Sequence, residues 1–115
     1  MERRFGQRTR VISDVVVYNQ GLPVAVARAR NVSLLGAFVE MQPELLRRHR
    51  VIEVEFSTGT GALGRYHRIP AMVVRHGERG VGLIFETSDP VTRNTVQELV
   101  REQRAAASVR ETLVS

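Results

Sequence analysis

The start of the chain concentrates groups that bind anions. Four arginines lie in residues 3–10, RRFGQRTR, and Arg4 and Arg8 stand four positions apart. Each guanidinium offers a planar fork of donors that can bind a phosphate or a guanine edge through two hydrogen bonds. The same spacing recurs at Arg75 and Arg79, so an arginine pair by itself identifies no ligand. The first pair gains meaning only if a second group of binding residues lies elsewhere in the chain.

A candidate for that second group follows the second predicted strand. In NVSLLG, Asn31, Ser33 and Gly36 have the spacing N-x-S-x-x-G. Asn and Ser have short polar side chains that hold a turn or bind the edge of a ligand, and Gly permits a positive φ or a close backbone approach. The residues alone leave two interpretations open, an ordinary turn and one half of a binding site.

The remaining reactive residue types predict no enzyme and no metal centre. The histidines have no metal-ligand spacing and the chain contains no Cys, so we interpret each of them as a surface histidine: His49, His67 and His76. Glu53 and Glu55 share one side of a predicted strand and could pair as carboxylates. Because apolar residues alternate with them, we interpret that side as the solvent-facing side of the strand.

The composition is that of one folded globular domain with a net positive charge. The 115 residues are 43% apolar and 25% charged, which is typical of globular proteins that bury a core. All 17 basic residues are Arg, and the net charge of +5 favours anionic partners. No apolar run has the length of a membrane span, and no signal-peptide pattern is present. A cytoplasmic location fits these features.

Apolar residues with a period of two predict six or seven short strands. The stretches that we interpret as strands are RVISDVVVY, LPVAVARAR, AFVEM, VIEVEFS, YHRIPAMVVRH and GVGLIFE. In the second of these the alanines face one way and the valines and arginines the other, and Pro70 in the fifth indicates an edge position or a bulge. Short strands at such regular spacing favour an antiparallel barrel over a βαβ unit.

After the last strand the apolar spacing becomes helical. Asp89 is suited to cap a helix and Pro90 to its first turn. We therefore predict one helix that begins near Val91 and runs past Arg101, with an apolar stripe that packs on a mouth or a face of the barrel. The stripe is formed by Val91, Val96, Leu99 and Val100.

Taken in order, these features resemble one known family. An Arg-x-x-x-Arg pair in an arm, a strand hairpin and then Asn-x-Ser-x-x-Gly before apolar residues are similar to the PilZ domain family, bacterial receptors for cyclic di-GMP. The resemblance covers nearly the whole chain. It implies an all-β fold, a six-stranded antiparallel β-barrel followed by one C-terminal helix. We divide the chain into a flexible ligand-clamping arm (1–8), the barrel with its helix (9–104), and a helix extension or frayed tail (105–115).

The resemblance also implies which residues bind the ligand. Arg4 and Arg8 would grip the phosphates and the guanine Hoogsteen edges of cyclic di-GMP. Asn31 and Ser33 would contact guanine and phosphate, and Gly36 would keep the surface open. The nucleotide would be a ligand rather than a cofactor, and the protein would have no catalytic residue.

Three further arginines are possible auxiliary ligands. Arg3 and Arg10 flank the first motif, and Arg75 belongs to the late hairpin of the barrel. Thr9 stands where the family often has a hydrophobic or aromatic residue, and Asn31 replaces the commoner Asp. Neither departure removes a group that the resemblance assigns to the ligand.

Two other functions stay open at the level of the sequence. A degenerate PilZ module would act only through protein contacts, and a small basic barrel would bind RNA or DNA with a steep dependence on salt. The receptor is favoured because both motifs are intact. In that reading the arm changes conformation on binding and thereby regulates a downstream protein, which the sequence does not identify. The chain would be a monomer or a dimer.

Overall fold

A computed structural model describes residues 13–58 and 64–114, with side chains described as far as residue 105. It contains six strands, one short 3-10 turn at Pro43–Leu45 and one helix. The elements are β1 (Ser13–Asn19), β2 (Leu22–Arg30), β3 (Gly36–Glu40), β4 (Val51–Thr58), β5 (Arg65–His76), β6 (Gly80–Phe85) and α1 (Pro90–Val114). The predicted strands are confirmed to within a few residues at their ends.

The six strands close into one antiparallel barrel, as the sequence predicts. Around the barrel the order is β1, β2, β3, β6, β5, β4, and β4 pairs again with β1. The β5 strand is the longest, with 12 residues. Its Pro70 carbonyl accepts a hydrogen bond from the N–H of Glu86, just beyond the end of β6, so the proline lies where the ladder to β6 ends. Since the barrel is closed, β5 pairs on both sides, and its register shift lies between Val73 and Arg75. The prediction of an edge position or a bulge at Pro70 is therefore wrong.

Alternation along the strands separates the interior of the barrel from its surface. On β2, Ala27 and Ala29 are buried while Val26 is 83% exposed, so the small residues face inward. On β4, Ile52, Val54 and Phe56 are buried, as the alternation predicts. The Phe56 and Phe85 rings meet edge to face inside the barrel, 6.2 Å apart. The rest of the interior is mainly aliphatic.

The helix α1 begins at a capped turn and packs on the barrel beside β4 and β5. The Asp89 carboxylate accepts a hydrogen bond from the Thr92 N–H at 3.3 Å, which is the N-cap arrangement. Val96, Leu99 and Val100 are buried, as predicted. Val91 is 70% exposed, so the prediction that it belongs to the buried stripe is wrong. It lies in the first turn, before the helix reaches the barrel.

Polar contacts also join α1 to the barrel, and one of them corrects the interpretation of His67. This histidine is 7% exposed rather than a surface residue. Its Nε2 lies 3.1 Å from the Glu102 carboxylate of α1 and 3.3 Å from the Thr58 hydroxyl. The next residue of α1, buried Gln103, donates a hydrogen bond from its side-chain amide to the Ser13 hydroxyl. Two of the side chains that follow the apolar stripe, Glu102 and Gln103, are therefore bonded to polar groups of the barrel.

Within the described segments, α1 lacks the apolar run with which a helix crosses a bilayer.

Candidate functional site

The loop between β2 and β3 is built by the residues of the second motif. Asn31 has a φ of 56°, a left-handed conformation that Asn tolerates better than most residues. The Ser33 hydroxyl accepts hydrogen bonds from the N–H groups of Leu35, at 3.2 Å, and Gly36, at 3.4 Å. The Ser33 N–H donates to the Gly36 carbonyl at 2.9 Å. The motif therefore forms a fixed turn, and its two predicted roles, turn and binding site, do not exclude each other.

The Ser33 side chain retains capacity for a further partner. Its hydroxyl hydrogen has only a long contact, 3.5 Å from Ser33 Oγ to the Gly36 carbonyl oxygen, at the limit of a hydrogen bond. A better acceptor could therefore take this hydrogen without breaking the turn. Asn31 beside it is exposed.

Gly36 is required by the close approach of two backbones. A Cβ built at this position would lie 1.8 Å from the Leu83 carbonyl oxygen of β6. A side chain there would push β3 away from β6, where Gly36 pairs with Ile84. The glycine thus lets the loop and β3 lie directly on β6, which is the close approach that the sequence allowed. Its predicted effect of keeping the surface open is not tested by this contact.

An open pocket of about 510 Å³ lies on the outer face of the barrel. It is lined by the turn of the second motif and by residues of β3, β5 and β6. The pocket brings together all three residues of the second motif with residues far from them in the chain. We call it the outer pocket; its lining is Asn31, Ser33, Leu35, Gly36, Ala37, Phe38, Val74, Arg75, Gly82, Leu83 and Ile84.

Arg75 is the positive charge of the outer pocket. It lies on β5 opposite Gly82 of β6, at a point where the register shifts. A Cβ at Gly82 would lie 3.5 Å from Arg75 Nε, so the glycine leaves room for the guanidinium to lie across β6. Arg75 is exposed. Of the three auxiliary arginines of the sequence analysis, it is the one that the structure places beside Asn31 and Ser33.

Phe38 is a pocket residue that the sequence analysis did not single out. It lies between buried Ala37 and Val39 on β3, so alternation turns its ring outward. The Arg30 guanidinium carbon lies 5.1 Å from the centroid of this ring, and Arg30 also pairs with Glu40 at 3.2 Å. The wall of the pocket therefore carries an aromatic ring with an arginine over its face, two planar groups of the kind on which a base can stack. The period-2 pattern of β3 carries the signal that would have identified Phe38.

The first motif cannot be placed in this geometry. Arg3, Arg4, Arg8 and Arg10 lie outside the described residues, and so does most of the glycine-rich loop between β4 and β5. Their assignment to the ligand therefore stays a prediction.

Other charges on the outer face neutralise one another. Arg68 Nε donates to the Glu53 carboxylate at 2.9 Å, and its guanidinium lies 3.8 Å from the centroid of the Tyr18 ring. The Tyr18 hydroxyl donates to Glu55 at 3.2 Å. Partial desolvation raises the pKa of Tyr18, the bond to Glu55 adds to the rise, and Arg68 opposes it. Glu53 and Glu55 thus serve different partners on the solvent-facing side, and no group of three potential metal ligands occurs among the described residues.

Comparison with known proteins identifies the fold. The sequence model of the PilZ domain family matches residues 2–102 of this chain. Four solved chains match the structure, among them the crystal structure of the PilZ domain of CeSA from a cellulose synthesizing bacterium. That match has a TM-score of 0.69 and 22% sequence identity and covers 81% of this chain and 93% of that chain, so it shows the shared barrel and helix. No curated protein matches the sequence.

Proposed function

The chain belongs to the PilZ domain family, a family of cyclic di-GMP receptors rather than enzymes, and on this premise we propose that it binds cyclic di-GMP at the outer pocket. The observation that carries the proposal is the lining of that pocket. Asn31, Ser33 and Gly36 lie there together with Arg75, on an open face of the barrel. The family match begins at residue 2, so it includes Arg4 and Arg8.

The chemistry of the pocket suits a molecule with two guanines and two phosphates. The Ser33 hydroxyl hydrogen and the Asn31 amide offer hydrogen bonds to guanine or phosphate oxygens. Arg75 supplies a guanidinium fork for a phosphate or for guanine O6 and N7. Phe38 supplies an aromatic face on which a purine can stack. In this proposal Arg4 and Arg8 complete the site from the other side of the ligand.

The proposal includes a change in the N-terminal residues. Residues 1–8 close over the nucleotide, and the ordering of each residue costs roughly 1–2 kcal/mol of conformational entropy. Charge-assisted bonds from Arg4 and Arg8 to the phosphates offset that cost. A downstream protein then distinguishes the closed arm from the empty state. Support for this step comes from the position of the arginine pair before β1 and from the family.

Titration calorimetry with cyclic di-GMP tests the binding. We expect the full chain to bind, and Arg4→Ala, Arg8→Ala and Ser33→Ala each to weaken binding by about ten-fold or more, as loss of a hydrogen bond to a charged group does. Arg101→Ala, an exposed arginine on α1, is the matched control and should change the affinity by less than two-fold. Absence of heat at millimolar nucleotide would favour a module that acts only through protein contacts.

Nuclear magnetic resonance tests the arm separately. We expect the amides of residues 2–8 to lose fast motion when cyclic di-GMP is added, and those of the Arg4→Ala variant to lose less. If calorimetry shows binding but the mobility of residues 2–8 is the same with and without nucleotide, the clamping step is wrong while the receptor function stands.

A further inference from the structure

A second group of arginines lies at the end of the barrel opposite to α1. Directly after the 3-10 turn, the sequence LRRHR leads into β4. We call residues 46–50 the arginine loop. Together with the turn between β1 and β2 it lines an open pocket of about 580 Å³, formed by Gln20, Arg47, Arg48, His49, Arg50 and Val51. This pocket shares no lining residue with the outer pocket.

The backbone of the arginine loop is fixed by the barrel. The His49 N–H donates to the Val73 carbonyl at 2.6 Å, and the Val73 N–H donates to the Arg50 carbonyl at 3.0 Å. Leu46 is 2% exposed and anchors the start of the loop in the core. His76 Nε2 lies 2.8 Å from the Leu46 carbonyl oxygen. These bonds hold the following arginine backbones in one arrangement before any ligand arrives.

The charges of the loop are not neutralised by the part of the chain that the structure describes. The ion pairs found there join carboxylates to Arg30, Arg65, Arg68 and His67. None reaches a loop arginine. Three positive charges within four residues repel one another, and binding an anion relieves that repulsion.

The loop also presents backbone donors. Among the described backbone hydrogen bonds, His49 and Arg50 use their N–H groups, whereas the N–H groups of Arg47 and Arg48 donate to no backbone acceptor. Successive free N–H groups form a concave anion site, and guanidinium forks match the oxygens of a phosphate. We propose that the arginine loop binds phosphate groups at a site separate from the outer pocket.

Phosphate groups could come from a free phosphate compound or from the headgroups of an anionic membrane. The first experiment titrates the full chain with inorganic pyrophosphate at low salt and follows the backbone amides by nuclear magnetic resonance. We expect saturable shifts at Arg47 and Arg48. Arg48→Ala and Arg50→Ala should each weaken binding by about five-fold or more, since each removes a charged donor. Arg101→Ala should leave it unchanged.

Further variants and probes separate the possible explanations. Asn31→Ala should leave the pyrophosphate shifts in place, because the two pockets are distinct; this holds whether or not the outer pocket binds cyclic di-GMP. Sedimentation with vesicles that contain phosphatidylglycerol, lost in an Arg47→Ala/Arg48→Ala double variant, would assign the phosphate to lipid headgroups. Lack of sedimentation together with pyrophosphate binding would assign it to a free compound.

Three results would overturn the proposal. The first is an absence of shifts at residues 47–50 up to tens of millimolar pyrophosphate. The second is an equal effect of Arg101→Ala and Arg48→Ala, which would mean that net charge alone attracts the anion. The third is an affinity for a glutamate oligomer of matched charge that equals the affinity for pyrophosphate. Equal affinities would indicate a surface for acidic proteins instead of a phosphate site.

Discussion

Two polar regions of the barrel use their side chains in different ways. Under α1, His67 and Gln103 are buried, and they bond to Glu102 and Ser13 across the junction of helix and barrel. In the outer pocket, by contrast, Asn31 and Arg75 are exposed, and the Ser33 hydroxyl hydrogen has only a long contact. Buried polar groups that bond to one another hold the helix on the barrel, although the Gln103 side-chain oxygen has no partner among the described residues. Exposed groups with free hydrogen-bonding capacity can instead bind a ligand.

The difference follows from what covers each region. α1 lays an apolar stripe over one part of the barrel and excludes water, so the polar groups there need internal partners. Within the described residues, no element covers the outer pocket, so water can hydrogen-bond to its polar side chains. Substitutions in the first region should therefore change stability and leave affinity alone, and those in the second should do the reverse.

The largest expected effect is a loss of stability when the contact between α1 and the barrel is weakened. Leu99→Ala removes a fully buried side chain and should lower the free energy of unfolding by about 2–5 kcal/mol. Urea unfolding measures the loss. The matched control is Val91→Ala on the same helix, which should cost less than about 0.5 kcal/mol because that residue is mostly exposed. Equal losses for both variants would contradict the packing described here.

Gly36→Ala should lower both the stability and the affinity for cyclic di-GMP, since this glycine belongs to the outer pocket and to the β3–β6 contact. The added Cβ collides with the Leu83 carbonyl, and the free energy of unfolding should fall by about 1–3 kcal/mol. Cyclic di-GMP binding should weaken as the turn shifts. At Gly77 a Cβ would meet nothing closer than 3.5 Å, so Gly77→Ala serves as the control. A stable Gly36→Ala variant would show that the two strands can separate at low cost.

Arg75→Ala should separate binding from stability most cleanly. Loss of its guanidinium should weaken cyclic di-GMP binding by about ten-fold, or about 1.4 kcal/mol. The melting temperature should change by no more than a degree or two, because the residue is exposed. Arg79→Ala, four residues further on and outside the pocket lining, is the matched control. If both variants bind equally well, Arg75 is not a ligand.

The smallest effect is expected at the neutralised cluster on the outer face. Arg68→Ala breaks an exposed ion pair with Glu53, which should cost less than about 1 kcal/mol and leave nucleotide affinity unchanged. Because Arg68 lowers the pKa of Tyr18, its removal should raise that pKa further. Ultraviolet titration of tyrosine in a Tyr66→Phe background, where Tyr18 is the one tyrosine left in the sequence, measures the shift. A fall in the Tyr18 pKa would contradict the contact.

The strand pattern and the helix were readable from the sequence because their periodicities are local. Period-2 alternation predicted the strands and the solvent-facing side of β4. The pair Asp89-Pro90 predicted where α1 begins. The same local logic failed where burial depends on a distant partner. His67 was expected at the surface, but the end of α1 covers it, and Val91 was counted in a stripe that starts only at Val96.

For the candidate site, the sequence by itself determined that Asn31, Ser33 and Gly36 form a turn, because their side chains and conformational preferences act within a few residues. Only the tertiary structure decided what lies next to that turn. The closure of the barrel brings β5 and β6 against β3, and so places Arg75 and Phe38 in the same pocket. The register that does this is set by core packing over the whole barrel, which no short stretch of sequence contains.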